Sequence, residues 1–426
     1  MVAVAAAALV AAGAFTTIAG LITDPLVAEE RWNRVNIGVG VGLNMVLYGV
    51  IAPFAAAMMD KAGARKLTAA ALVLLAVAAL LLVTYAPDAR WFIVWWGLFV
   101  GVGTGTVTMV FGATIANRWF VTNLGLATGV LTAASVVGQF VMLPLLSGIM
   151  SATSWRGPIL MCGVLALLAA ALVGLVLRNS PGEIGTRPYG DDDVSPRLAP
   201  APASSVSPVA RSLRVLVEST RDVRFWALVP MFFLCGATTN GLMWSHFTPA
   251  AVDHGMSATA ASTLLAIVGV ANIPGTIGAG WLSDRIDPRV VLAVFFIVRG
   301  GALIVLPFIF GSIMTPNLVV FAVVFGILDV ATVPPTLALC RTFFGEDSTI
   351  AFGWVNTAHQ LGAGAMAVGG GLIREIEGGY TLVWVLGAHL CACAAVLGLL
   401  VGRRRPGRRT RESATGGGGG QCAPCL

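Results

Sequence analysis

The chain has 426 residues, 57% of them apolar and 11% charged, where a soluble domain carries roughly a quarter charged residues, and this mismatch excludes a plain soluble enzyme. A membrane-crossing helix needs about 20 apolar residues, so twelve of them take roughly 240 positions, and the apolar share of this chain supplies that many. The excess of 26 Lys+Arg over 20 Asp+Glu is read by position, because cations mark the cytoplasmic loops of a membrane protein; it implies no nucleic-acid partner. Only Lys61 and Lys66 are lysines, an Arg-over-Lys bias that points to a GC-rich bacterial genome.

In chain order, apolar segments run over 2–23, 35–59, 67–86, 91–115, 124–149 and 156–178. The first is read as a membrane helix and not a signal peptide, because it has no basic leader and is long for that purpose; its start at Met1-Val2 leaves open a short cytoplasmic leader. The pattern then stops. Residues 179–222, with Asp191-Asp192-Asp193 and a Pro/Ala/Ser-rich run from Pro196 to Pro208, predict a flexible cytoplasmic linker. Six more apolar segments follow at 224–247, 257–281, 289–310, 316–337, 348–372 and 379–402, and a basic, Gly-rich tail closes the chain at 403–426. The organisation is therefore an N-terminal six-helix bundle over 1–178, the linker, a C-terminal six-helix bundle over 223–402, and the tail.

With the N-terminus cytoplasmic, the inner loops and tail collect Lys61, Arg65, Lys66, Arg118, seven arginines between 178 and 224, Arg285, Arg289, Arg341 and six from Arg403 to Arg411. The outer loops hold Arg31, Arg34, Arg90, Arg156 and Arg374. That bias places both termini in the cytoplasm, and the tail is expected on anionic inner-leaflet lipid. The seven cysteines form no disulfide framework, and Cys422-Ala423-Pro424-Cys425 is half of a zinc site at most; no metal or cofactor is expected.

Sliding the chain on itself by 224 residues superposes Pro25 on Pro249, Asp60 on Asp284, Lys61 on Arg285, Arg65 on Arg289, Phe120 on Phe344, Ala127 on Ala351, Gly129 on Gly353 and Gly138 on Gly362 without a gap. Two homologous halves follow, and parallel halves of this kind place a binding cavity near the bilayer midplane at their interface. The loops Asp60-Lys61-Ala62-Gly63-Ala64-Arg65-Lys66 and Gly280-Trp281-Leu282-Ser283-Asp284-Arg285 resemble the cytoplasmic loop signature of the major facilitator superfamily, G-x3-D-R/K-x-G-x-R/K-R/K. The first copy has Ala56 for the leading glycine and the second has Asp287 for the inner one. Asp60, Lys61, Arg65, Asp284, Arg285 and Arg289 are accordingly expected to form gating contacts; plain positive-inside anchoring is the alternative.

Further segments are similar to the monocarboxylate and oxalate-transporter-like branch of that superfamily. They are Asn117-Arg118-Trp119-Phe120 with Gly125-Leu126-Ala127-Thr128-Gly129, Gly138-Gln139 with Leu143-Pro144-Leu145, Ala331-Thr332-Val333-Pro334-Pro335-Thr336, and Ala358-His359-Gln360-Leu361-Gly362. Leu124 stands where relatives often have an Arg, and Asn272 and Thr276 stand where animal members carry an Asp-Arg pair. The resemblance implies an all-α membrane protein with twelve transmembrane helices in two pseudo-symmetric bundles, the major facilitator fold. It also implies that the first, fourth, seventh and tenth helices line the cavity.

Charges at mid-membrane depth cost about 2.5–3.5 kcal/mol each on the insertion scale, yet Arg299 and Asp329 lie near the centres of the ninth and tenth segments. They reach similar depth and are expected to pair, either as a structural tie or as a site where an anion competes for Arg299 while a proton moves onto Asp329. Pro334 and Pro335 free carbonyls one turn back, near Val330 and Ala331, either lining a cavity or as a simple kink. Asn356, His359 and Gln360 make one polar stripe, and His359 can bind a carboxylate or relay a proton. Other polar positions are Asn44 and Tyr48, Thr132, Ser135 and Gln139, Asn240 and Trp244, and Thr332 and Thr336 with Asp329; helix–helix hydrogen bonding is the alternative for each. Gly38-x-Gly40-x-Gly42 and Gly101-x-Gly103-x-Gly105 have no βαβ context and imply no nucleotide.

The expectation is a monomeric secondary transporter in a bacterial plasma membrane, with no enzymatic activity. It moves a small organic anion, a monocarboxylate or dicarboxylate, by alternating access with proton symport. The substrate contacts expected are Arg299, His359, Gln360, Asn356, Gln139, Asn44, Tyr48 and Asn240, and the proton carriers Asp329 and His359. The alternatives are an organic-anion exchanger, a drug or metabolite exporter, and a receptor-like membrane protein that keeps the fold without transport.

Overall fold

The computed structural model describes residues 1–191 and 207–402, so the tail at 403–426 and the middle of the linker lie outside the described residues. The N-terminal half holds α1 (Val2–Glu29), α2 (Arg34–Ala62), α3 (Ala64–Thr84), α4 (Ala89–Trp119), α5 (Leu124–Ala152) and α6 (Arg156–Val176). The C-terminal half holds α7 (Phe225–Asp253), α8 (Ala258–Ser283) and α9 (Pro288–Ile309). A 62-residue helical run over Pro316–Glu377 follows. It folds back at Gly345–Asp347, where Gly345 takes φ 56, into α10 at 316–344 and α11 (Ser348–Glu377). With α12 (Thr381–Leu400) the described residues hold twelve long helices in two bundles of six. Polar residues start them: Asn33, Asp88, Ser257, Asp287 and Thr315 each accept a first-turn backbone N–H, leaving fewer orphan donors at the helix ends.

Four helices are irregular near mid-length. α4, α5 and α7 widen into π-helical turns over Ile93–Val100, Val137–Val141 and Ala237–Met243. α4 also breaks at Val107 and Thr108, and α10 breaks between Asp329 and Val333, just ahead of Pro334 and Pro335. Irregular backbone at membrane depth is tolerated where protein or a cavity satisfies it.

The halves meet where α5 crosses α8 and α2 crosses α11. The crossings are close because glycine faces backbone: a Cβ on Gly129 would stand 2.5 Å from the Thr276 carbonyl oxygen, and one on Gly353 would stand 2.6 Å from Pro53 Cα. These two contacts are related by the 224-residue offset, so the sequence repeat is a structural pseudo-symmetry. They lie toward the end of the bundle that carries Met1 and Gly402, here called the terminal end. Beyond Phe140 on α5, the stretch Met142–Ala152 packs on its own half, and Gly20, Gly38, Gly42, Gly364 and Gly369 face open space. The molecule is thus closed at the terminal end and parted at the other.

The segment expected to be a flexible linker is structured on both sides of 192–206. Asn179 donates its backbone N–H and Nδ2 to the Glu183 carboxylate at 3.0 and 2.9 Å, which holds that carboxyl below its usual range. Tyr189 pairs with the end of α4, donating its N–H to the Trp119 carbonyl at 2.8 Å and accepting from Val121 at 2.9 Å. An amphipathic helix, Pro208–Ser219, starts at Ser207, whose side chain accepts the Ala210 N–H, and buries Ser212, Val215 and Ser219 on one face. Composition suggested no core for this stretch, but spacing at i, i+3 and i+7 supplies one against the bundle.

Candidate functional site

The break in α10 sets up the polar centre of the C-terminal half. With the helix interrupted after Asp329 and prolines at 334 and 335, the last carbonyls of the first half-helix lose their usual donors. Arg299 of α9, 0% exposed, fills that role: it donates Nη2 to the Asp329 carbonyl at 2.8 Å and to the Leu328 carbonyl, and Nη1 to Cys235 Sγ at 3.4 Å. A cation at the negative end of a half-helix is favourable.

The expected side-chain pair between Arg299 and Asp329 does not form. Equal depth brings the residues together, but the break turns the Asp329 backbone toward Arg299 and its carboxylate elsewhere. That carboxylate, 2% exposed, accepts from Trp244 Nε1 at 2.9 Å and from Asn272 Nδ2 at 3.0 Å, both on Oδ2. Asn272 Oδ1 in turn accepts the Val330 N–H at 3.0 Å, which fixes the break. Asp329 Oδ1 and, on α11, His359 Nδ1 are buried without a hydrogen-bond partner. His359 Nε2 lies 3.5 Å from Thr239 Oγ1, and its ring packs on Phe232.

The 224-residue offset supplies an internal control. Arg299, Asp329, His359 and Asn272 correspond to Leu75, Gly105, Ser135 and Tyr48. The backbone arrangement is similar: α4 breaks at Val107 and Thr108 as α10 breaks before Val333, and Leu75 packs against Gly103, next to Thr104, the counterpart of the Leu328 that Arg299 meets. The fold therefore closes in one half with neutral residues at these positions and in the other with a buried cation, acid and imidazole.

The remaining expected contacts separate into two groups. Asn44 donates Nδ2 to the Trp96 carbonyl at 3.0 Å and is 8% exposed, tying α2 to the π-helical turn of α4; this is helix–helix hydrogen bonding. Tyr48 and Gln139, with Gly13, Thr16, Thr104 and Ser135, surround a small neutral hollow, where Gln139 Nε2 donates to Ser135 Oγ at 3.2 Å. Asn240 is exposed on the π-helical turn of α7. Asn356 is buried on α11, and Gln360 lies against Gly49 where α2 crosses α11.

At the terminal end the loop residues divide similarly. Asp284 accepts the Gly125 and Leu126 N–H groups at 2.8 and 2.9 Å, so an acid of the C-terminal half caps α5 of the N-terminal half. Asp60, its repeat counterpart, pairs with Arg118 at 2.9 Å and with Arg211 of the amphipathic helix at 2.8 Å, and Arg211 continues to Asp347 at 3.0 Å. Asp347 heads α11 where Asn123 heads α5, so a bare acid cannot approach and Arg211 intervenes. Arg65 and Arg289 tie α3 to α6 and α9 to α12 within each half, through the carbonyls of Gly174 (2.8 Å from Arg65 Nε) and Val401 (3.2 Å from Arg289 Nη1); Arg289 also pairs with Asp287. Arg285 lies over Trp281 at 4.0 Å, and Lys61 is exposed. Of the six gating residues expected, Asp284 reaches across the halves directly and Asp60 does so only through Arg211. Arg211, Asp347, Trp244 and Asn272 were not among the expected site residues.

The model of the Major Facilitator Superfamily matches residues 4–312 and 233–424. The MFS-type transporter YcxA of Bacillus subtilis, described as uncharacterised, is 26% identical over 88% of this chain and 88% of its own length. Monocarboxylate transporter 12 of Rattus norvegicus is 24% identical over 80% of this chain and 71% of its own. Among solved structures, the fucose:proton symporter FucP of E. coli superposes with a TM-score of 0.69 at 17% identity, covering 93% of this chain and 98% of that one.

Proposed function

Since the chain belongs to the Major Facilitator Superfamily and is therefore a secondary transporter working by alternating access, we propose that its cargo is a small organic anion, a monocarboxylate or dicarboxylate, carried with a proton. The observation that carries this reading is the charge asymmetry between the halves: Arg299, Asp329 and His359 stand where the neutral half has Leu75, Gly105 and Ser135. Charged groups confined to one half, kept at a depth where each costs about 2.5–3.5 kcal/mol, mark a pathway for ions or protons. The names of the monocarboxylate transporter relatives support the same cargo class.

In this reading Asp329 carries the proton on its unpartnered Oδ1. Arg299, held by carbonyls, draws the anion by its field, and contact in this conformation falls to His359, Asn356, Gln360 and Asn240 of the C-terminal half and Tyr48 and Gln139 of the N-terminal half. An arriving anion offsets the field of the guanidinium on the carboxylate, so anion and proton bind together. The distribution of cations supports cytoplasmic termini in a bacterial plasma membrane, which makes the parted side the outer one. Asp284 at the head of α5 and Arg211 between Asp60 and Asp347 then serve as the inner gate.

The test is uptake of radiolabelled carboxylates into proteoliposomes under an imposed pH gradient, for the unsubstituted chain, Asp329→Asn and His359→Ala. Gradient-driven accumulation that Asp329→Asn abolishes while exchange of preloaded anion survives is the expected result. Accumulation of amines instead, or equal accumulation by Asp329→Asn, would overturn the reading.

A further inference from the structure

The Trp244 side chain touches both the buried carboxylate of the C-terminal half and the contact between halves. Its Nε1–H donates to Asp329 Oδ2 at 2.9 Å. Its indole lies flat on Phe140 of α5, with ring centres 4.0 Å apart and planes 9° apart. Phe140 is itself seated against α8, where a Cβ on Gly269 would come within 2.5 Å of Phe140 Cβ. Beyond Phe140, α5 leaves the C-terminal half, so the stack stands at the edge of the closed contact. Phe140 lies within the π-helical turn Val137–Val141, and Trp244 directly follows the turn Ala237–Met243, irregularities that recur at functional positions.

We infer that Trp244 is a positioning residue that reports the proton occupancy of Asp329 to the other half of the molecule. This rests on Asp329 being the proton site. Indole N–H is a donor only, and a hydrogen bond to an ionised acceptor is roughly twice as strong as one to a neutral acceptor. With Asp329 charged, the bond from Nε1 holds the indole in place to stack on Phe140 and keeps the halves together at this level. A proton arriving on Oδ1, the oxygen without a partner, removes the charge without displacing either donor from Oδ2. The tether then weakens, and Trp244 can part from Phe140 as the halves rock; the proton leaves from the same oxygen when the cycle reverses.

Other charged or titratable groups act on this carboxylate. Arg299 of α9 and His359 of α11 both influence it electrostatically, and Cys235 of α7 and Cys391 of α12 flank Arg299. The symmetry-related position in the N-terminal half has no acid, since Gly105 stands where Asp329 does, so the arrangement works in one half only.

The experiment places spin labels at Lys66 and Ile286, exposed positions at the terminal ends of the two halves, and follows the distance distribution in lipid nanodiscs between about pH 5 and pH 8. The unsubstituted chain is expected to change its open fraction with pH, and Asp329→Asn to lose that response. Trp244→Phe, which keeps a ring for stacking but has no N–H, is expected to reduce the response by about twofold or more. Phe140→Leu, which keeps the N–H bond and removes the stack, is expected to do the same, and carries the test should Trp244→Phe fail to fold. A response lost in Asp329→Asn but intact in Trp244→Phe or Phe140→Leu overturns this inference and leaves the proton site standing. A full response in Asp329→Asn overturns the proton site itself.

Discussion

Replacing Arg211 by Ala is expected to loosen the terminal end. The guanidinium forks, with Nη1 on Asp60 at 2.8 Å and Nη2 on Asp347 at 3.0 Å, and the three side chains are 20%, 26% and 37% exposed. At that exposure each pair contributes about 0.2–1 kcal/mol. Losing both also leaves Asp60 and Asp347 without the cation between them, and Asp60 keeps Arg118. The closed state should therefore lose about 0.4–2 kcal/mol relative to the open one, a roughly 2- to 30-fold change in their ratio. Arg211→Lys should fall between, because one ammonium cannot reproduce the planar fork. The label pair at Lys66 and Ile286 reads the ratio directly, and raising the salt to about 0.5 M should move the unsubstituted chain in the same direction. A distance distribution for Arg211→Ala that matches the unsubstituted chain at low salt would refute the bridging role, and the amphipathic helix would then be simple packing.

Other outcomes follow from the same geometry. Gly129→Leu and Gly353→Leu each put a side chain where backbone from the other half now stands, and should disfavour the closed state by about 1–3 kcal/mol each; matched shifts in the two variants, read with the same labels, would reflect the pseudo-symmetry. Asp284→Asn weakens the carboxylate cap on α5 and is expected to cost about 0.5–2 kcal/mol of closure, seen as faster cysteine labelling in the α5–α8 crossing. Arg299→Met keeps the length of the stem and strips the donors from the Leu328 and Asp329 carbonyls. It should lower the midpoint of thermal unfolding in detergent by the equivalent of about 2–3 kcal/mol, and an unchanged midpoint would show that water or another donor replaces the guanidinium.

The twelve spans and two halves could be read from composition and cation placement because the bilayer demands long apolar helices and little else. The glycines at the crossings stood out as a repeat, since Gly129 and Gly353 superpose at the offset, but that they admit backbone from the other half is visible only in the structure. The partner of Arg299 was not legible either. Sequence gives a residue's depth along a helix but not its rotation, and a break such as that after Asp329 re-aims carbonyl and carboxylate independently. Pro334 and Pro335 foretold the break, yet the carbonyls Arg299 takes are those of Leu328 and Asp329, one to three residues earlier than Val330 and Ala331. Asn272 was noticed only as a residue standing in for a missing acid, although an amide there can both donate to Asp329 and accept from Val330. Arg211 was hidden by its surroundings: polar, Pro-rich flanks masked a short helix whose buried face is marked by Ser212, Val215 and Ser219. Asn44 looked like a cavity residue and instead binds a backbone carbonyl of α4, a distinction that spacing alone does not make.

In the proposed cycle this chain couples an organic anion to a proton through Asp329. The most direct test of that coupling is internal pH in dye-loaded proteoliposomes as carboxylates, amines and neutral sugars are added outside in turn, against protein-free liposomes and Asp329→Asn. The account predicts acidification that requires the protein, appears with one class of carboxylate and disappears in Asp329→Asn. Acidification equal in Asp329→Asn, or carboxylate uptake with no proton movement, would contradict it.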